Sequence, residues 1–126
     1  MEIAVSRLLK ENNYLIDIPI TDSCNLNCAG CLSFSSLSKR PNNVEIQELV
    51  KSVEHLEKIG CSPCAYTLSG GEPLLYPDLK ELISSLKEVT KKPINLLTNG
   101  ILIKKRINDI LGIDMVCFSK YPGLKY

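Results

Sequence analysis

The chain has 126 residues, 44% of them hydrophobic and 23% charged, which suits one domain with its own core and excludes a disordered polypeptide. Fifteen Lys and Arg against fourteen Asp and Glu leave a net charge of +1, scattered along the sequence, which speaks against a nucleic-acid or anionic-membrane surface. No apolar run approaches membrane-span length, and the start Met1-Glu2-Ile3-Ala4-Val5-Ser6-Arg7 lacks a basic-then-apolar signal pattern, so a single cytoplasmic domain over residues 1–126 is expected.

In chain order, Glu2–Leu9 offers a first strand turned at Asn12-Asn13, and Tyr14–Ile20 a second, with Pro19 restricting it to its end or to a sheet edge. A polar, cysteine-containing loop follows. Asn42 and Asn43 are candidate N-caps, with Glu45 in capping-box position, for a helix carrying Ile46, Leu49, Val50, Val53, Leu56 and Ile59 and stopped by Gly60. Ala65–Leu68 reads as a strand. Pro77 suits a first helical position, with Leu79, Leu82, Ile83, Leu86 and Val89 forming the apolar stripe behind it. Pro93–Thr98 is a strand, Ile101–Leu111 a helix, and Met115–Ser119 a last strand. This alternation predicts an α/β fold with a parallel sheet. The polar motifs fall just after strand C-termini, where such folds place their chemistry.

Six cysteines in a reducing compartment shift weight from disulfides to metal or redox roles. Thr21-Asp22-Ser23-Cys24-Asn25-Leu26-Asn27-Cys28-Ala29-Gly30-Cys31 puts three of them in one segment. In a helix, positions 24, 28 and 31 would share a face and could be packing residues. Asp22, Ser23, Asn25, Asn27 and Gly30 make the segment a loop instead. A structural zinc needs a fourth ligand, which Cys61 or Cys64 supplies only if the loops converge. Three thiolates can also hold three corners of an iron–sulfur cube and leave the fourth iron open to a substrate group.

Cys-x3-Cys-x2-Cys after one strand and Gly-Gly-Glu-Pro after the next resemble the radical S-adenosylmethionine enzymes, over roughly residues 14–123. The resemblance implies that Cys24, Cys28 and Cys31 ligate a 4Fe–4S cluster whose unique iron is chelated by S-adenosylmethionine. Reductive cleavage would then give a 5′-deoxyadenosyl radical that abstracts a substrate hydrogen. It further implies a low-potential electron donor such as flavodoxin or ferredoxin. Where many members carry an aromatic residue before the third cysteine, this chain has Gly30, leaving Leu32, Phe34 or backbone to hold the adenine.

Ser69-Gly70-Gly71-Glu72-Pro73 can be a tight turn, or a place where bare backbone approaches a ligand and Glu72 offers a carboxylate to an ammonium. The resemblance implies that Gly70, Gly71, Glu72 and Pro73 meet the methionyl amino group of the cosubstrate. Thr98-Asn99-Gly100 is either a turn or, by the resemblance, a contact near the cosubstrate through Asn99; Ser119 would contact its ribose or carboxylate. Cys61-Ser62-Pro63-Cys64 precedes a strand and reads as an inert turn ahead of two alternatives, an auxiliary metal half-site or an adventitious pair; Cys117 reads as a packed residue, Lys120 as a surface lysine and His55 as part of a solvated helix face.

The family's fold is a partial (β/α)6 barrel of TIM type, of which this sequence supplies the first four βα units. The chain is therefore expected to be a shortened member, a fragment, or one half of an assembly with self-association through its open sheet edge. Competing functions are a cluster- and cosubstrate-binding half-barrel without turnover, and a glycyl-radical activating enzyme.

Overall fold

Four parallel strands alternate with helices in a computed structural model of the chain, which describes residues 14–38, 42–61, 63–121 and 123. The expected strand over Glu2–Leu9 and its turn at Asn12-Asn13 lie outside the described residues. The elements are β1 (Leu15–Thr21), α1 (Ile46–Lys58), β2 (Ala65–Gly70), α2 (Leu79–Val89), β3 (Ile94–Thr98), α3 (Ile103–Arg106) and β4 (Met115–Phe118). The sheet order is β1-β2-β3-β4, every neighbouring pair parallel, with Leu15 opposite Ala65, Tyr66 opposite Ile94 and Asn95 opposite Met115.

Alternation along β1 divides its two faces: Ile18 and Ile20 are buried, while Leu15, Asp17 and Pro19 are exposed. Pro19 is tolerated because β1 is an edge strand among the described residues, and the register with β2 shifts between Pro19 and Thr21. Ile18 and Ile20 join Tyr66, Leu68, Ile94 and Leu96 from the inner strands, and the helices close over them with Leu49 and Val53 of α1 and Leu79, Leu82, Ile83 and Leu86 of α2. Each fully buried Leu or Ile contributes about 1.5–3 kcal/mol of transfer free energy, so this layer holds the sheet together. No helix among the described residues is long and apolar enough to cross a membrane.

Four expectations need correction. Helix α1 starts at Ile46 with Glu45 as N-cap and no side-chain cap bond. Asn43 instead bridges Thr21, whose hydroxyl donates to Asn43 Oδ1 at 2.6 Å, so its side chain anchors the segment that leaves the cysteine loop. Helix α2 starts at Leu79, two residues after Pro77, with Asp78 as N-cap.

The expected helix over Ile101–Leu111 is only α3 followed by a 3-10 turn at Ile107–Asp109. Short helices with β-branched residues and no side-chain cap are marginal in isolation. Arg106 here pairs with Asp109 and donates to the carbonyls of Tyr76 (3.0 Å) and Pro77 (3.2 Å), contacts that favour the tightened turn.

Cys117 is exposed, not packed, as is all of β4.

Candidate functional site

A cleft of about 440 Å³ opens at the C-terminal ends of the strands. Cys24, Cys28 and Cys31 line it from the loop after β1, Ser69, Gly70 and Gly71 from the end of β2, Thr98 and Asn99 from the end of β3, and Ser119 and Tyr121 from beyond β4. The segments that sequence reasoning singled out separately are thus brought to one place.

The end of β2 is pressed onto the start of the cysteine loop. The Gly71 N–H donates to the Thr21 carbonyl and the Glu72 N–H to the Ser23 carbonyl, both at 2.7 Å. A Cβ on Gly70, whose φ is +127°, would stand 2.4 Å from the Thr21 oxygen; one on Gly71 would stand 2.2 Å from the Ser23 oxygen. Any side chain at either position would collide with backbone. The glycines therefore let two loop backbones touch while their other side faces the cleft.

Glu72 is fully buried and Pro73 nearly so, and neither lines the cleft. The Glu72 carboxylate is committed internally: Oε1 accepts from the Thr98 hydroxyl (2.6 Å) and the Leu74 N–H (3.0 Å), and Oε2 from the Asn99 N–H (2.8 Å). Sequence reasoning offered this carboxylate to a ligand's ammonium; the structure spends it on tying β2 to β3. Three donors on one carboxylate compensate the burial of its charge.

Asn99 belongs both to a turn and to the cleft. Its Oδ1 accepts from the Ile101 N–H (3.1 Å), while its Nδ2 donates to Asn25 Oδ1 (2.7 Å) in the cysteine loop. From sequence Asn25 reads only as a loop former, and its position directly after Cys24 is the one signal of a further role. Ser119 is held by its N–H donating to the Thr98 carbonyl at 3.0 Å. Tyr121 also borders the cleft. It is the aromatic residue among the described cleft lining, and the neighbouring Cys28 sulfur is the main cause that holds its hydroxyl above the usual range. Of the residues suggested in place of an aromatic at Gly30, Leu32 lines the cleft and Phe34 does not.

The three thiols differ in environment. Partial burial raises Cys24, although its sulfur accepts from the Leu26 N–H at 3.4 Å. Cys31 is lowered, first by the backbone N–H of Ser35, with those of Ser33 and Phe34 adding to it. Phe34 takes a left-handed conformation (φ 50°) that turns this stretch back on Cys31. The buried Ser35 hydroxyl stands beside the same sulfur and adds to the lowering.

Thiols lining a cleft, with amides and a hydroxyl directed at one of them, fit a sulfur-rich cofactor that accepts hydrogen bonds. Among the described residues no three Cys, His, Asp or Glu side chains converge on a single metal-ion position. Cys61 and Cys64 are at the opposite end of the sheet: the Cys64 N–H and Sγ both contact the Tyr14 carbonyl, at 3.0 and 3.2 Å, before β2 begins. They do not converge on the cysteine loop.

The family model described as the Radical SAM superfamily matches residues 18–119. The chain belongs to the radical SAM superfamily. That family's cofactors are a 4Fe–4S cluster and S-adenosylmethionine, and its members are enzymes. The GTP 3′,8-cyclase of Aquifex aeolicus is 38% identical over 112 residues, which cover 82% of this chain and 32% of the relative. The probable GTP 3′,8-cyclase of Methanococcus maripaludis strain C6 is 35% identical over 104 residues, covering 81% and 34%. The 7,8-dihydro-6-hydroxymethylpterin dimethyltransferase of Methanocaldococcus jannaschii is 32% identical over 95 residues, covering 75% and 19%. The chain thus spans about a third or less of the length of these relatives. Among solved structures, BtrN in complex with AdoMet and 2-DOIA superposes with a TM-score of 0.69 at 22% identity, over 90% of this chain and 48% of that one. The likeness shows the shared α/β architecture of a radical SAM fold.

Proposed function

We propose that Cys24, Cys28 and Cys31 hold a 4Fe–4S cluster in the strand-end cleft and that S-adenosylmethionine binds beside it for radical hydrogen abstraction from a substrate. The observation that carries this reading is the cleft itself, lined at once by all three loop cysteines and by the ends of β2 and β3 and the segment after β4. When bound, the reduced cluster supplies the electron that splits the sulfonium into methionine and a 5′-deoxyadenosyl radical.

The chain's residues divide the remaining work. Gly70 and Gly71 meet the cosubstrate with backbone, because the Glu72 carboxylate is occupied by Thr98, Leu74 and Asn99. Ser119 offers its hydroxyl to the ribose or carboxylate, and Tyr121 an aromatic surface to the adenine. A flavodoxin or ferredoxin supplies the electron. The named relatives make GTP the first substrate to try.

Anaerobic reconstitution with iron and sulfide, followed by dithionite and S-adenosylmethionine, tests the reading. It predicts 5′-deoxyadenosine; a preparation that binds one zinc tightly and takes up no iron contradicts it.

A second reading, a half-barrel that binds both cofactors but turns over only within a larger assembly, is favoured by β4, where Met115 is 51% and Phe118 56% exposed. Turnover by a monomer on size exclusion argues against it.

A further inference from the structure

The geometry points to Asn25 as a positioning residue that fastens the cluster loop to the cleft floor through Asn99 and Glu72, an inference that rests on the radical SAM reading. Two hydrogen bonds bracket Cys24. On one side the Ser23 carbonyl accepts from the Glu72 N–H at 2.7 Å; on the other Asn25 Oδ1 accepts from Asn99 Nδ2 at 2.7 Å.

Both anchors belong to one rigid unit. The Glu72 carboxylate accepts the Asn99 N–H at 2.8 Å and the Thr98 hydroxyl at 2.6 Å. Asn99 Oδ1 is taken by the Ile101 N–H at 3.1 Å, which fixes the amide so that its Nδ2 faces Asn25. Asn99 is 8% exposed and Glu72 fully buried, so the anchor is packed in place while Asn25 itself lies in an exposed stretch. The bridge spans 74 residues of sequence and is a side-chain contact between the two loops. Its effect is to fix the backbone on both sides of Cys24, and with it the direction of the sulfur. Metal-ligand loops depend on outer contacts of this kind.

The bridge needs an acceptor at position 25, so Asn25→Asp preserves it and Asn25→Ala removes it. The full 126-residue chain and these variants, reconstituted with iron and sulfide, are compared by iron release to a chelator and by cluster midpoint potential. Asn25→Ala is expected to release iron about ten-fold faster or more. Asn25→Asp is expected to return release to the wild-type rate while moving the potential to more negative values, because reduction then adds an electron beside a carboxylate. Wild-type iron retention in Asn25→Ala, or release from Asn25→Asp as fast as from Asn25→Ala, overturns the assignment.

Hydrogen exchange on the metal-free chain separates the bridge from the function. Asn25→Ala and Asn99→Ala should each speed exchange across residues 24–31, and the double variant should add little beyond either. Wild-type protein that takes up no iron overturns the radical SAM reading. Unchanged exchange in Asn25→Ala overturns the bridge whatever the iron result.

Discussion

Gly71 lies so close to Ser23 that a Cβ on it would stand 2.2 Å from the Ser23 carbonyl oxygen. The glycine pair thus has a duty within the chain, the contact of the β2 end with the cysteine loop, before any ligand is considered. Gly71→Ala must push that backbone apart, which should destabilise the fold by about 3 kcal/mol. Urea unfolding checks this; an unchanged midpoint would mean the loops part freely.

Glu72 is a structural carboxylate with three donors. Glu72→Gln keeps one acceptor oxygen but turns an amide group toward N–H or O–H donors, at an expected cost of about 1–3 kcal/mol. Glu72→Ala should cost more, since it also leaves a void and orphans the Thr98 hydroxyl and two amides. Both are read by urea denaturation, and Glu72→Gln with wild-type stability would refute the assigned role.

The cysteines should separate cleanly by location. Cys28→Ala is expected to bring iron content after anaerobic reconstitution close to background, because two thiolates do not hold the cube. Cys117→Ser, on the exposed β4, should leave iron content unchanged. Equal iron in Cys28→Ala and the parent chain would exclude the proposed ligand set.

Asp114 gives a pH signature. Its carboxylate accepts from Lys87 Nζ at 2.6 Å and from the Ile94 N–H at 2.8 Å, and the Lys87 bond leads in holding it below the usual carboxylate range. A depressed folded-state value means stability that is present above the unfolded value, near ~3.9, and lost as pH falls through the folded one. The pair is substantially exposed, with side chains 37% and 43% accessible, so the contribution is about 0.5–1 kcal/mol at neutral pH. The stability gap between wild type and Asp114→Asn should therefore shrink as pH drops from about 5 towards 3. A gap independent of pH would contradict the linkage.

The strand and helix order was legible because each element carries its own period: Ile18 and Ile20 alternate along β1, and Leu79, Leu82, Ile83 and Leu86 recur along α2. The cysteine loop was legible because Asn, Asp and Gly between the cysteines deny it a helix. What escaped depends on contacts across the fold. Asn43 looked like a cap but pairs with Thr21, and Cys117 looked packed because strand alternation does not reveal whether a second layer covers it. Glu72 looked like a ligand carboxylate because its donors, Thr98 and Asn99, come from a strand end 26 and 27 residues away. Asn25 stayed hidden for the same reason.

Electron paramagnetic resonance of the oxygen-free, dithionite-reduced protein tests most directly whether the three thiolates leave one iron open to the cosubstrate. The account predicts a 4Fe–4S signal that changes on adding S-adenosylmethionine. A cluster signal left unaltered by that compound, or no cluster signal, would contradict it.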